Sequence, residues 1–561
     1  MRAELTNVAA GIRACRRAGL PARRKNVASR FAFGSTVRPL CSVAFSGRQD
    51  AALYVRQGCL TLRRLGQLLA VLNLAWLTVG SVAAETNATR PNLLFILTED
   101  QGAHLGFIGT PGVRTPNMDA LARSGVYFRN AYVVYPVCSA SKAAIYTGLH
   151  NHANGLMNNT PNFTVPADQF TAKELESAQY PLYLKNRVHA DVPTLIERLR
   201  AAGYYQGIAG KLHVAPNEKF PFDEFVKDKD GKGKDISASA AFIERAKQSG
   251  KPWHLWQSIG PPHRRFPNSD EVAIRPDPDK VKLPACVADT PVIRQDWAEY
   301  LAAIEKGDDI LGQVMEMLRA SGQETNTIVV FMGDHGPAFP HGKMTPYELG
   351  LRVPLVIRVP WLKNGFRSDA LVSELDLTPT LLDLLGLEPM AKRHGLSLKP
   401  ILEGQPDAKG HQYIFAEISA KGPLPNNGMQ ERSISDGRWK MIYRENVEHP
   451  WRTVQDDSKY WKSWNNRTYD ETVRLKEKFP EHFRILAELD PQSLGGKMKP
   501  VEFYDLSVDP DEMHDLAPDV KVRAEFDRLY AALRRWARDT EDPSINPPAI
   551  PPKNYYSTPN L

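Results

Sequence analysis

Cysteine is scarce in this chain: there are five in 561 residues, and Cys15, Cys41 and Cys59 fall near its start. Only Cys138 and Cys286 remain for the body, which allows one disulfide and excludes a disulfide-built scaffold. Internal repeats are absent, and so are the Walker and Rossmann glycine patterns. Net positive charge is missing from the body as well. Residues 1–64 hold thirteen Lys and Arg against Glu4 and Asp50, a net of +11 set against +7 for the whole chain, so the remainder stands near −4. The basic balance belongs to the leader, and no nucleic-acid partner is expected.

One long apolar run is present, in "LRRLGQLLAVLNLAWLTVGSVAAE", where Arg63 and Arg64 precede an uncharged stretch closing on Ser81, Val82, Ala83 and Ala84. This is the grammar of a secretory signal, so the body is expected to be exported, periplasmic or secreted, with no stable membrane anchor. The competing reading is an uncleaved anchor, since about 20 residues can span a bilayer. Residues 1 to about 55 fit neither pattern and suggest a start assigned upstream of the true one, near Val55 or Leu60. The leader is therefore set at 1–84.

From residue 91 apolar strand-like runs alternate with helical periodicity: "NLLFILT", "YYQGIAG", "PWHLWQSIG", "NTIVVFMG" and "PLVIRV" against "TPNMDALARSG", "PTLIERLRAAG" and the long "IEKGDDILGQVMEMLRASG". Strand and helix in turn predict an α/β fold, a large central sheet flanked by helices on both faces. A Gly/Pro/Asp-bearing break near 403–412 precedes strand-like "RSISDGRWKMIYR" and "VEFYDLSVDPDEMHDLA" and the helical "AEFDRLYAALRRWARD". The expected organisation is a domain at 91–402, a smaller C-terminal subdomain of antiparallel strands with a terminal helix at 411–543, and a Pro-rich tail at 544–561.

Ligands of open α/β sheets gather beyond the carboxyl ends of the strands, and the reactive residues fall there. Glu99 and Asp100 close one strand, Asp334 and His335 another. Three carboxylates at one edge suit Ca²⁺, Mg²⁺ or Mn²⁺, although strand-end acids also serve as plain helix caps. Lys211 and His213 follow a third strand and His263 a fourth; each alone reads as solvated surface. Cys138 opens the segment "SASKAAIYTG", so its sulfur is expected at a helix start, near the positive end of the dipole, with Lys142 on the same face at i+4. The bland reading is a small buried thiol. "KDKDGKGKD" at 227–235 does not fit a calcium loop, and Asn87, Asn158 and Asn162 open glycosylation triplets.

Together the motifs "NLLFILTEDQG", "CSASKAAIYTG", "GKLH", "PPH", "GDHG", "GKMTPYELGLRVPL", "DLTPTLLDLLGL" and "FYDLSVDPDEMHDLA", in this order over about 91–543, resemble the sulfatase family of the alkaline-phosphatase-like superfamily. Length, "HNHANG" and "RRWARDTEDP" make the chain most similar to the heparan N-sulfatase branch. The resemblance implies a hydrolase that removes the sulfate of a sulfated sugar, an ester or a sulfamate, with N-sulfoglucosamine the residue this branch suggests.

The resemblance also implies the parts. Cys138 would be converted by a maturase to formylglycine, whose hydrate is the nucleophile. A divalent cation, Ca²⁺ first with Mn²⁺ or Mg²⁺ as the others, would be held by Glu99, Asp100, Asp334, His335 and residue 138. Lys211, His263 and Lys343 match positions that bind sulfate oxygens, with His263 or Lys343 protonating the leaving group, and His213 matches the base that expels sulfate; Lys142 would stabilise the nucleophile. Three departures stand out: Cys-Ser-Ala-Ser-Lys replaces Cys-x-Pro-x-Arg at 138–142, Glu99-Asp100 replaces Asp-Asp, and His335 replaces Asn. The first points to a radical-type maturase, and the last makes Mn²⁺ plausible. Two further readings stay open: a phosphate or phosphonate ester hydrolase of the same superfamily, and an inactive secreted glycan-binding module.

Overall fold

A computed structural model describes residues 90–161, 170–176, 180–227, 236–266, 275–363, 365–419, 429–447, 466–490, 494–543 and 545. The expected leader, Asn87, Asn162, residues 228–235 and the tail apart from Ile545 lie outside them. Among the described residues no helix is long and apolar enough to cross a membrane.

The first sheet contains β1 (Asn92–Thr98), β2 (Val126–Tyr132), β3 (Tyr205–Ala209), β4 (Glu224–Val226), β5 (Trp253–Ile259), β6 (Thr327–Gly333), β7 (Leu355–Arg358) and β8 (Phe366–Ser373), in the spatial order β4-β3-β5-β1-β6-β7-β2-β8. The strands β4, β3, β5, β1 and β6 run parallel, while β7 pairs antiparallel with both β6 and β2. β1 is buried along its whole length, as a strand covered on both faces must be. Its odd residues Leu93, Phe95 and Leu97 pack on one side with Ala140, Ala143 and Tyr146. Its even residues Leu94 and Ile96 face the other side, with Ile304, Leu311 and Val314. Phe95 stacks on Trp256 with ring centroids 4.2 Å apart, and Tyr146 covers Trp256 at 4.4 Å.

Four helices matter below: α1 (Pro116–Ser124), α2 (Cys138–Thr147), α3 (Pro291–Ala320) and α4 (Arg523–Asp539). α3 begins well before Ile304, where the sequence pattern placed its start. Thr290 accepts the Ile293 N–H at 3.2 Å and Pro291 takes the first position, a cap and an N1 proline that fix the true beginning. α2 is buried at every one of its ten positions. Ser139, Ala140, Ser141, Ala143 and Ala144 keep it thin enough to enter the core.

The second sheet holds β9 (Ile414–Ser419), β10 (Gln430–Ser435), β11 (Trp439–Glu445) and β12 (Val501–Asp505), all antiparallel in the order β12-β11-β10-β9. α4 lays Phe526, Leu529, Leu533 and Trp536 on it. Buried charge ties the second sheet to the segments that follow α4 and α2. Arg432 of β10 grips Asp542 (2.7 and 3.1 Å), and Glu417 of β9 accepts from His152 Nδ1 (2.7 Å) and the Asn151 N–H (2.5 Å). His152 Nε2 faces the Thr540 carbonyl at 3.3 Å.

Candidate active site

Parallel pairing sets Thr98 beside Gly333 on one flank and Ile259 on the other. The residues that follow, Glu99–Asp100, Asp334–His335 and the 260–263 turn, are therefore delivered to one edge. Ala209 pairs with Gln257, which brings Lys211 and His213 to the same edge. α2 enters from the β1 odd-residue side and places Cys138 at its first turn. Val137, the residue before it, is extended and provides no side-chain cap. The Ser139 N–H donates instead to Asn159 Oδ1 at 3.2 Å.

Cys138 Sγ, 2% exposed, lies 3.3 Å from His335 Nε2, 3.5 Å from Lys343 Nζ and 4.0 Å from Asp100 Oδ1. Burial pushes the thiol up, but Lys211 and Lys343 outweigh it and leave it below a thiol's ordinary value. Lys343 also holds Asp100 at 2.8 and 3.1 Å. It stands in the loop after β6, where Gly336 passes so close that a Cβ there would sit 1.7 Å from the Leu349 carbonyl oxygen.

Asp100 adopts a left-handed backbone, φ 59°, which turns the neighbouring carboxylates of Glu99 and Asp100 to different partners. The Asp100 N–H donates to Asp334 Oδ1 at 2.7 Å. Burial raises the Asp100 carboxyl, yet His263, Lys343 and His335 hold it far below the ordinary carboxylate range. Ligand atoms of Asp100, Cys138, Asp334 and His335 lie within 4.8 Å of one another.

Chemistry fits that geometry to a cation. His335 Nδ1 donates to the Gly336 carbonyl at 2.9 Å, so the tautomer is fixed and Nε2 faces the carboxylates, the usual arrangement of a ligating histidine. Burial lowers the His335 pKa, but Asp334 and Cys138 outweigh it and raise it to about 9. The set therefore draws positive charge even from its own imidazole. Two carboxylates and a nitrogen suit a divalent ion such as Ca²⁺ or Mn²⁺.

Glu99 stands outside this cluster. Its Oε1 accepts from Lys142 at 2.7 Å and its Oε2 from Lys211 at 2.8 Å, while Lys142 also reaches Asp334 Oδ2 at 2.9 Å. Burial disfavours the Lys142 ammonium, and Asp334 and Glu99 more than restore it. The Glu99 carboxyl is likewise raised by burial, but Lys142, Lys211 and His263 take it well below its usual range.

His213 and His263 complete the rim. Burial first, then Lys211 and Lys142, lower the His213 pKa strongly, so it is a neutral base. His263 Nδ1 donates to the Arg264 carbonyl at 2.6 Å, which makes Nε2 its basic nitrogen; burial lowers its pKa while Asp100 pulls the other way. Two supports escaped the sequence reading. Arg264 is clamped on Asp296 of α3 at 2.7 and 2.9 Å, fixing the 260–266 turn. Glu374 accepts from the Ser141 hydroxyl and the Val134 N–H, both at 2.7 Å, fixing the first turn of α2. Asp296 lies on a helix face and Glu374 after an edge strand, and neither position carries a local signal. Asn158, one of the three glycosylation triplets, is buried.

A sequence model of the family described as Sulfatase matches residues 91–387, and one described as N-sulphoglucosamine sulphohydrolase, C-terminal, matches 333–482. The N-sulphoglucosamine sulphohydrolase of Homo sapiens is 27% identical over 506 residues, covering 82% of this chain and 92% of that protein. An ulvan-active sulfatase of Formosa agariphila is 28% identical over 496 residues, covering 82% of this chain and 77% of that protein. The fold matches, with a TM-score of 0.56 at 20% identity, a solved structure of a protein in complex with its substrate D-glucosamine-2-N,6-O-disulfate, over 81% of this chain and 99% of that one.

Proposed function

The chain belongs to the sulfatase family and is a sulfuric ester hydrolase; from that premise we propose that it acts on a sulfated sugar and removes the N-sulfate of a glucosamine residue. The sugar class rests on what its relatives act on and on the C-terminal match over 333–482. The chemistry rests on one observation: Cys138, at the start of a buried helix, has its sulfur between Lys343 and His335 and beside the carboxylates of Asp100 and Asp334.

Converted to formylglycine, residue 138 supplies a hydrated aldehyde whose hydroxyl attacks sulfur. Asp100, Asp334 and His335 would hold a divalent cation, Ca²⁺ or Mn²⁺, and when bound it supplies Lewis acidity at the oxygen of residue 138. Lys211 and Lys343 bind and orient the sulfate oxygens, and their fixed charge favours the charge that develops on them. His263 Nε2 takes up the proton that the attacking hydroxyl gives up and delivers it to the departing amine. His213, kept neutral by its surroundings, accepts the proton from the second hydroxyl as sulfate leaves. Lys142 lies behind residue 138 and balances the carboxylates. A maturase and an export route complete the reading, consistent with the apolar run and small residues before Glu85.

The test is made on protein purified from its own host. The peptide carrying residue 138 is weighed, and sulfate release is compared on glucosamine N-sulfate, glucosamine 6-O-sulfate and a matched pair of aryl sulfate and aryl phosphate. The expected results are an aldehyde mass, preferential release from the N-sulfate, and a loss of roughly 10³-fold or more in Cys138→Ala. A plain thiol with no turnover would favour the binding-module reading, and a strong aryl phosphate preference would overturn the sulfate assignment.

A further inference from the structure

We propose that Glu99 is a positioning residue: it holds Lys142 and Lys211 against residue 138 and leaves the grip on the cation to Asp100, Asp334 and His335. The inference rests on the reading of the site given above. Both Glu99 oxygens are already engaged, Oε1 by Lys142 and Oε2 by Lys211. Asp334 is different, because it faces two ways. Its Oδ2 accepts from Lys142, while its Oδ1 accepts the Asp100 N–H and lies 3.7 Å from His335 Nε2. The result is a line of alternating charge, Asp334–Lys142–Glu99–Lys211.

Burial gives that line its necessity. The Lys142 side chain has no solvent exposure, and its ammonium rests on Glu99 and Asp334. Turning Glu99 towards a metal would weaken one of those supports, and an undercompensated buried ammonium is costly. Lys211, at the other end, has a side chain 27% exposed. It is the member of the line that meets solvent, and Glu99 fixes its direction. Two of the departures noted in the sequence then belong together: a lysine at 142 has less reach and a planar fork is lost, while a glutamate at 99 extends its carboxylate by one methylene, about 1.5 Å.

Four variants separate a tether from a ligand. Thermal-shift titration with Ca²⁺ and with Mn²⁺, on protein whose Cys138 is unconverted, reads cation binding without turnover. Glu99→Gln is expected to bind within about threefold of the parent, whereas Asp334→Asn weakens binding by about 10- to 100-fold. Equal weakening in both overturns the proposal. Glu99→Asp is expected to lower kcat/KM for sulfate release about 100-fold through misplaced lysines. Adding Lys142→Arg restores the bridge and recovers at least tenfold, together with the lost melting temperature; a double variant no better than the single overturns the proposal. Should Glu99→Gln fail to fold, the Glu99→Asp pair of melting temperatures carries the test. Absence of sulfate release by the parent enzyme counts against the proposed activity alone, since the cation titration and the melting temperatures still decide the role of Glu99.

Discussion

His152 carries a proton because both ring nitrogens face acceptors, Glu417 Oε2 at 2.7 Å and the Thr540 carbonyl at 3.3 Å. Burial alone would strip that proton; Glu417, and Asp542 beyond it, reverse the effect and raise the pKa above its usual value. The other charged and titratable neighbours are Arg432 of β10 and the rings of His150 and His394. A folded value above the unfolded one, about 6.5, means the contribution is complete below that pH and fades as pH rises through the folded value. Melting temperature followed by calorimetry from pH 6 to 9 should therefore fall in the parent protein. His152→Gln should flatten that fall and cost about 1–3 kcal/mol at the acid end. An unchanged slope would show that the proton resides elsewhere.

Single residues of the site were legible because they stand at strand ends in runs with little else to do. Asp100, Asp334 and His335 could be set at one edge from the apolar strands before them. What Glu99 does with its two oxygens was not legible, since that depends on a left-handed turn at Asp100 and on lysines from two other segments. The clamp of Arg264 on Asp296 was equally hidden, because partners 32 residues apart leave no periodic trace.

Among the elements, α2 depends on one buried acid. Burial pushes the Glu374 carboxyl well above its usual range, favouring the neutral acid, while its two oxygens serve Ser141 and Val134. Glu374→Gln can keep both partners, with its oxygen accepting from Val134 and its amide donating to Ser141 Oγ, and should change stability by less than about 1 kcal/mol. Glu374→Leu leaves the buried Val134 N–H unsatisfied and should cost about 2–3 kcal/mol. Urea unfolding of the two variants side by side checks the difference; equal losses would mean the carboxyl is charged.

β1, β3, β5, β6 and β7 were readable as apolar runs bounded by turn residues. β2 and β8 were not: β2 exposes Arg129, and β8, "FRSDALVS", alternates half-buried with exposed positions at the edge of the sheet before closing on buried Val372 and Ser373. The antiparallel insertion of β7 also escaped notice, since direction within a sheet is set by connections and not by strand composition.

At the scale of the molecule, buried charges tie the second sheet to the segment after α4 and to the segment between β6 and β7. Arg432 meets Asp542 with Glu417 beside it, and Lys440 of β11 meets Glu348 at 3.0 Å and Glu512 at 2.9 Å. Such pairs stabilise little in themselves, but removing one partner strands the other charge. Arg432→Met should lower unfolding free energy by about 3–5 kcal/mol, read from urea midpoints. Arg432→Met combined with Asp542→Asn should recover part of that loss, and a purely additive double variant would refute the pairing.

Cys138 also sets an order of events in time. It begins a helix whose every residue is buried, and 2% of its own surface is open. A maturase cannot thread this segment into its own cleft once β1 and β6 have closed around it. Under the proposed conversion, each chain therefore has one opportunity, between leaving the ribosome and completing its core. The share of working enzyme in a cell is then decided by a race between oxidation and folding, so a slower-folding chain could yield more active protein than a faster one.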